Sequence, residues 1–320
     1  MVDDAILTPG ESPGAGPGPS GGGTSPVNRR QAVEQATERL TRAGVPSPGP
    51  EAEHLLAEVL GVSRPALWLD AQRELTASEA ARLAAWMQQR ERRVPLQHLT
   101  GRAPFLDWML RVSPAVLVPR PETEELVLRA SDLLRQREAA MPEKSQRVLD
   151  FATGSGCLAV ALAVRHPRAR VSALDISPAA LRIAQQNAGE FAPDGRIEFH
   201  LGDGFAALGH GPGATPDRFD LIVTNPPYIP SAEIEGLEPE VREHDPRLAL
   251  DGGADGLDFY RRLAREAPDW LVPGGWLLAE FGAGQGAAIG GLFTTDDWDP
   301  ANCEVDLSGR ERFVLVRRRQ

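Results

Sequence analysis

The chain has 320 residues, 42% of them hydrophobic and 25% charged, with a formal net charge of −11. That composition suits a soluble globular protein with one large domain and a smaller one. No apolar run nears the roughly 20 residues of a membrane span, and the acidic surplus argues against an extended nucleic-acid surface.

The first residues lack the basic-then-apolar order of a secretion signal, so a cytoplasmic location is expected. Residues 1–27 include "GESPGAGPGPSGGGTSP", a Gly/Pro/Ser tract too poor in apolar side chains to offset its ordering entropy. It is expected to be a disordered tail. At Asn28 the character changes. Asn28 with Gln31 resembles a capping box, after which Val33, Ala36 and Leu40 share one helical stripe. Ala52, Leu55, Leu56, Val59 and Leu60 repeat the helical pattern and stop at Gly61, a natural helix-ending residue. Thr76 and Glu79 make a second capping box, predicting a helix that runs to about Arg93. Residues 28–94 thus read as a small helical domain, with "QQRERR" as a solvated face.

Residues 95–125 read as a linker. Phe105, Trp108, Leu110 and Val112 suggest a short hairpin, and "VLVPRPETEEL" turns at Pro119 and Pro121 before a helix begins. The remainder, 126–320, alternates strands and helices. "RVLDFA", "RVSALD", "RIEFH", "FDLIVT", "GWLLAEF" and "RFVLVR" are the strands, with helices from Ser155 and Ser177 between the first three. An α/β fold follows, a mainly parallel sheet covered by helices on both faces and joined by right-handed crossovers. Cys157 and Cys303 are too few for a disulfide framework and, with six scattered histidines, form no metal-ligand spacing. No metal is expected.

The first of these strands ends in "DFATGSGCLAV", where glycines let the backbone turn sharply and approach a ligand at a helix N-terminus. Roughly 20 residues on, the next strand ends at Asp175, placed to accept the hydroxyls of a ribose. Three readings stand at this point. "GSGCLA" fits the dinucleotide fingerprint G-x-G-x-x-A; the loop equally resembles motif I of class I S-adenosylmethionine methyltransferases; or it is a tight turn without a ligand. A P-loop is excluded, because no Gly-Lys-Ser/Thr follows.

The stretch "VTNPPYIP" ends another strand at the same sheet edge. Two prolines stop the ladder and hold the chain rigid. Such a corner suits transfer to a planar NH₂ group, whose nitrogen is a poor nucleophile because its lone pair is delocalised. The Asn225 side-chain carbonyl and the Pro226 backbone carbonyl could accept its two N–H bonds and orient the nitrogen. Tyr228 could lie against the planar group. Charge developing on nitrogen would then be stabilised more in the transition state than in the ground state.

"NPPY" with the glycine loop resembles amino methyltransferases acting on glutamine amides or on adenine and cytosine amines. From about Asn28 onward the chain is similar to the HemK-type (PrmC) release factor glutamine N5-methyltransferases. "PLQHLTGRAPFLDWMLRVSPAVLVPRPETEELV", the helical domain before it, "EVREHDPRLALDGGADGLDFYRRL" and "DLSGRERFVLVRR" complete the match. The resemblance implies methylation of the glutamine amide nitrogen in the Gly-Gly-Gln motif of class I peptide-chain release factors. It implies S-adenosylmethionine as cofactor, with Ala152, Thr153, Gly154, Ser155 and Gly156 around its methionine part. Asp175 would hold the ribose, and Asp203 and Gly204 would lie by the adenine. Asn225, Pro226, Pro227 and Tyr228 would bind the glutamine, with Asn225 also beside the cofactor and with Asn225, Pro226 and Tyr228 as the catalytic group. The helical domain would help to dock the release factor, and the enzyme is expected to be a monomer without nucleic-acid or membrane partners.

Two positions depart from the family pattern. Ala152 replaces the first glycine of Asp-Leu-Gly-Thr-Gly, which a methyl group tolerates only at negative φ, so cofactor affinity is at stake. Gly204 stands where relatives often carry a large apolar residue, so Phe205 or another side chain would cover the adenine. Arg120, Glu122 and Glu124 read either as cleft residues or, for the glutamates, as first-turn helix charges. "EHDPRLALDGG" reads as a lid or an ordinary long loop, His244 as structural or exposed, and Cys157 as a core residue. The rival functions are a glutamine methyltransferase for a ribosomal protein, an adenine N6-methyltransferase, and a nonenzymatic adaptor. An adenine enzyme acting on duplex DNA would need room for a flipped base.

Overall fold

The computed structural model describes residues 27–209 and 218–320. The tract read as a disordered tail lies outside the described residues except for Val27. The chain opens with helices α1 (Arg29–Arg42), α2 (Pro48–Leu60), α3 (Arg64–Leu69), α4 (Ala77–Glu91) and α5 (Leu96–Thr100). Capping boxes start α1 and α4: Asn28 and Thr76 accept from the third helical N–H, and Gln31 and Glu79 reach back. Val33, Ala36 and Leu40 of α1 pack with Leu55, Leu56 and Val59 of α2 and with Leu83 and Met87 of α4. These residues make a core of their own.

Strands β1 (Arg102–Phe105) and β2 (Trp108–Arg111) pair as an antiparallel hairpin. The long helix α6 (Pro121–Ala140) follows, then β3 (Arg147–Phe151), α7 (Cys157–Arg165), β4 (Arg170–Asp175), α8 (Pro178–Phe191), β5 (Ile197–Leu201) and β6 (Phe219–Thr224). After the Asn-Pro-Pro-Tyr corner come α9 (Pro239–Arg242), α10 (Asp258–Trp270), β7 (Leu271–Glu280), α11 (Gly286–Gly290), β8 (Asn302–Val305) and β9 (Glu311–Arg317). The main sheet has seven strands in the order β5-β4-β3-β6-β7-β9-β8. β5 through β7 run parallel, while β9 pairs antiparallel with both β7 and β8. The edge strand β8, "NCEV", is short and half polar and gives no alternation from which to predict it.

Both faces of the central sheet are buried, so β3, β6 and β7 are buried nearly throughout rather than alternating. Within β6, Leu221 and Val223 join the core under α6 and α7, while Ile222 joins the opposite core with Tyr260 and Leu263 of α10. This stacking brings the carboxyl ends of β3, β4 and β6 to one edge.

Two local expectations need correction. The helix expected from Ser155 starts at Cys157, because Gly156 takes φ 79°, outside the helical region. A β-carbon on Gly156 would lie 2.9 Å from Ala184 Cβ on α8, so the turn packs closely only as glycine. The segment "QQRERR" is a solvated face only in part: Gln88, Gln89 and Arg92 are exposed, but Arg90 and Arg93 turn inward. Arg90 is 3% exposed and donates to Glu51 of α2 and to Glu240 of α9, and Arg93 also grips Glu240. Carboxylates far away in sequence draw these arginines inward.

Candidate active site

The glycine turn after β3 is braced by carboxylates. Asp175, at the end of β4, accepts from Gly154 N at 2.9 Å and from Ser177 N at 2.8 Å. Asp150 is fully buried; its Oδ2 accepts from Thr153 Oγ1 at 2.5 Å and from Ala159 N at 3.0 Å. Its Oδ1 is buried with no partner among the described residues. Burial pushes the Asp150 carboxyl up to about 7, against the pull of the two hydrogen bonds. Burial raises Asp175 too.

Ala152 fails the condition set for it. Its φ is +59°, in the left-handed region where an L-residue is strained by roughly 1 kcal/mol. The turn keeps the shape a glycine would take, with alanine held in it.

A cavity of about 270 Å³ opens over this turn. Ala152, Thr153, Gly154, Ser155, Asp175, Asp203 and Gly204 line it, and Ile176, Leu248 and Phe259 add apolar walls. Gly156 does not; it serves the packing on α8. Phe205 is no cover for this cavity. It points from the 3-10 turn Gly204–Leu208 into the core, where its ring lies 5.0 Å from Phe151 and 5.6 Å from Trp270. Asp203 is exposed and paired with Arg262, whose guanidinium fills the space a side chain on Gly204 would need. Within "EHDPRLALDGG", Pro246, Leu248 and Ala249 reach the cavity wall. Ile229 N bonds to Leu250 O and Gly252 N to Ile229 O, pinning that loop along the corner.

A second cavity of about 280 Å³ adjoins the first. Pro226, Tyr228, Glu122, Glu280 and Arg312 line it. Asn225 lines both cavities, whereas Pro227 faces the first and Pro226 and Tyr228 the second. Asn225 therefore stands on the boundary. Its Nδ2 donates to Thr123 Oγ1 at 3.0 Å, and Thr123 Oγ1 donates to Glu280 Oε2 at 2.9 Å. Neither Asn225 Oδ1 nor the Pro226 carbonyl accepts a hydrogen bond among the described residues. Two acceptors are thus left without a partner, one on Asn225, which lines both cavities, and one on Pro226, which lines the second.

The corner itself is held from behind. Thr224 Oγ1 bonds to Phe151 O at 2.6 Å, and Gln285 Nε2 donates to Tyr228 O at 2.9 Å. The Tyr228 hydroxyl reaches Glu280 Oε1 at 3.5 Å, and burial holds the phenol above its ordinary value. Burial also pushes Glu280 up to about 7, opposed by the Thr123 hydrogen bond and the Arg312 charge.

The weaker candidates separate. Glu122 faces the second cavity, but Glu124 accepts from Leu106 N at 2.8 Å and ties the hairpin to α6. Arg120 pairs with Asp245 at 3.0 Å and lines both cavities, as a cleft residue. His244 bonds to Arg92 O at 3.1 Å, and Cys157 is buried beneath the first cavity with its thiol pushed up to about 12. Thr123, Glu280 and Arg312 are the site residues that sequence reading missed. A glutamate inside the apolar run "WLLAEF" was the available signal.

Residues 31–101 match the PrmC N-terminal domain, and residues 127–236 the Methyltransferase small domain. The release factor glutamine methyltransferase of Deinococcus radiodurans is 45% identical over 289 residues, 90% of this chain and 98% of that protein. Those of Rhodospirillum rubrum and Geobacter sulfurreducens are 41% and 40% identical, covering 96% and 89% of this chain and 92% and 95% of their own. Extending across both the helical region and the sheet, these matches show that the chain belongs to the release factor glutamine methyltransferase family.

Proposed function

We propose that this enzyme methylates the side-chain amide nitrogen of the glutamine in the Gly-Gly-Gln motif of class I release factors, using S-adenosylmethionine. The observation that carries this reading is Asn225, shared by two cavities, with its carbonyl oxygen and that of the adjoining Pro226 both without a hydrogen-bond partner among the described residues. The first cavity fits the cofactor. It offers a glycine turn, a carboxylate at the ribose position in Asp175, and apolar walls from Ile176 and Phe259. When bound there, S-adenosylmethionine supplies an electrophilic methyl carbon on a sulfonium.

The protein's own part is orientation and charge. Asn225 Oδ1 and the Pro226 carbonyl accept the two N–H bonds of the glutamine amide, turning its nitrogen toward the first cavity. Because proline fixes the backbone here, the acceptors need not reorganise as positive charge grows on nitrogen. Tyr228 walls the second cavity, and its ring covers the planar amide. The transfer would form an N–CH₃ bond as the S–CH₃ bond of the sulfonium breaks, leaving a neutral thioether, and the nitrogen would give up one proton. The helical region, joined to α9 through Arg90 and Arg93, serves as a docking surface for the release factor. The enzyme works in the cytoplasm, where translation termination takes place. Among the described residues no helix is long and apolar enough to cross a membrane.

The test is to incubate the protein with S-adenosylmethionine and a release factor and weigh the peptide containing Gly-Gly-Gln. One added methyl on the glutamine is expected, with Asn225→Ala lowering the rate by roughly 100- to 1,000-fold at near-normal cofactor affinity. An unmodified peptide despite measured cofactor binding would refute the assignment of substrate.

A further inference from the structure

We propose that Thr123 and Glu280 are positioning residues that fix which way round the Asn225 amide is held, so that its oxygen and not its nitrogen faces the substrate. This rests on the glutamine-binding reading of the corner given above.

A side-chain amide turned by 180° occupies nearly the same volume, so packing alone does not choose between its two ends. Hydrogen-bond polarity does. Thr123 has one hydroxyl hydrogen, and it is committed to Glu280 Oε2 at 2.9 Å. Toward Asn225 that oxygen can only accept, and what it meets at 3.0 Å must be the Nδ2 group. Reversal would set Oδ1 against the threonine lone pairs and aim two N–H donors at a substrate nitrogen that is itself a donor. The relay has a fixed sense, and a carboxylate ends it.

Three elements supply the relay: Thr123 lies in the first turn of α6, Asn225 follows β6, and Glu280 ends the neighbouring β7. Thr224 and Ala279 pair in register, so their successors Asn225 and Glu280 sit side by side. The groups around Glu280 are Glu122 of α6, Arg312 of β9, the Tyr228 hydroxyl, and Cys157 of α7; Tyr260 of α10 donates to its backbone oxygen at 2.5 Å. A protonated Glu280 can donate to Thr123, which frees the hydroxyl hydrogen to turn toward Asn225. The sense of the relay then lapses. Burial places that protonation near 7, within the working range of a cytoplasmic enzyme.

Four proteins decide the matter, assayed with release factor and S-adenosylmethionine. Thr123→Val keeps the shape and removes the hydroxyl; its kcat should fall roughly 10- to 100-fold, with KM for release factor and Kd for cofactor within about twofold. Thr123→Ser should recover kcat to within about threefold of wild type. Wild-type kcat should decline on the acid side with a midpoint near about 7, and Glu280→Gln should lose that decline. A Thr123→Val enzyme with wild-type kcat, a Thr123→Ser enzyme as slow as the valine variant, or an acid limb that survives Glu280→Gln would each overturn the proposal. Should the valine variant fail to fold, the Glu280→Gln pH profile alone decides. A wild-type protein that binds cofactor but leaves release factor unmodified would instead sink the underlying reading, and this inference with it.

Discussion

Arg90 in the last turn of α4 donates its Nη2 to Glu240 of α9 at 2.8 Å, with the arginine side chain only 3% exposed. Its Nε pairs with Glu51 at 2.5 Å, and Arg93 grips Glu240 twice at 2.6 Å. This network joins the helical region to the loop after the corner, whose Val241 lines the second cavity.

Removing one partner of a buried ion network leaves the others uncompensated, which typically costs 3–5 kcal/mol, about the whole margin of many domains. Arg90→Ala should therefore lose roughly 3 kcal/mol or more in urea unfolding. Glu240→Gln keeps hydrogen-bond acceptance and should lose less. Because α9 would loosen, both should raise KM for release factor more than Kd for cofactor. A variant with unchanged unfolding midpoint would show the network to be incidental.

Ala152 at φ +59° carries a strain that glycine would not. Glycine also gains entropy in the unfolded chain, which offsets part of the relief. The net expectation for Ala152→Gly is a gain of no more than roughly 0.5 kcal/mol in unfolding free energy. Because Ala152 lines the first cavity, cofactor binding should be equal or tighter. Calorimetric titration with S-adenosylmethionine checks this; weaker binding would show that the alanine methyl is a favourable wall.

Gly156 predicts the reverse. Gly156→Ala combines a left-handed φ of 79° with a β-carbon 2.9 Å from Ala184 Cβ on α8. Strain and overpacking together should cost roughly 2–4 kcal/mol. The displaced turn should also weaken cofactor binding, measurable in the same titration. Unchanged affinity at lowered stability would separate the packing role of Gly156 from the shape of the turn.

What was legible in the sequence shares one property: each signal lies within a few neighbouring residues. Capping boxes, the glycine turn and the Asn-Pro-Pro-Tyr corner are local rules of backbone and proline chemistry. The residues that read wrongly owe their environment to distant partners. Arg90 sits in a run of charges and is buried against Glu51 and against Glu240, which comes back to it from 150 residues away. Phe205 follows Gly204 at the edge of the first cavity, but Phe151 and Trp270 take its ring into the core. Thr123 is the intermediate case. It continues the buried stripe of Val127, Ala130 and Leu134 back to the first turn of α6, so helical periodicity could have turned it inward. Its Asn225 and Glu280 partners could not be read from spacing.

Glu280 links folding stability to pH. Its folded carboxyl is raised from 4.5 to about 7 by burial, so between those values the folded state holds a proton that the unfolded state has released. Unfolding free energy from this group therefore falls as pH rises through that window and stays low above it. Asp150, raised to about 7, and Asp245, raised to about 6, act in the same sense. His98 and His166, lowered by burial, act in the opposite one. The net slope is thus no clean test, but the difference between wild type and Glu280→Gln is. Glutamine cannot ionise, so relative to wild type the variant should gain stability from pH 5 to pH 8, by on the order of 1–3 kcal/mol. Thermal unfolding of both proteins at the two pH values measures it. A constant difference would mean that Glu280 titrates alike in both states. The expected trend would mean that the amide relay is kept in its working form at the expense of stability, as a strained functional group is elsewhere in folded proteins.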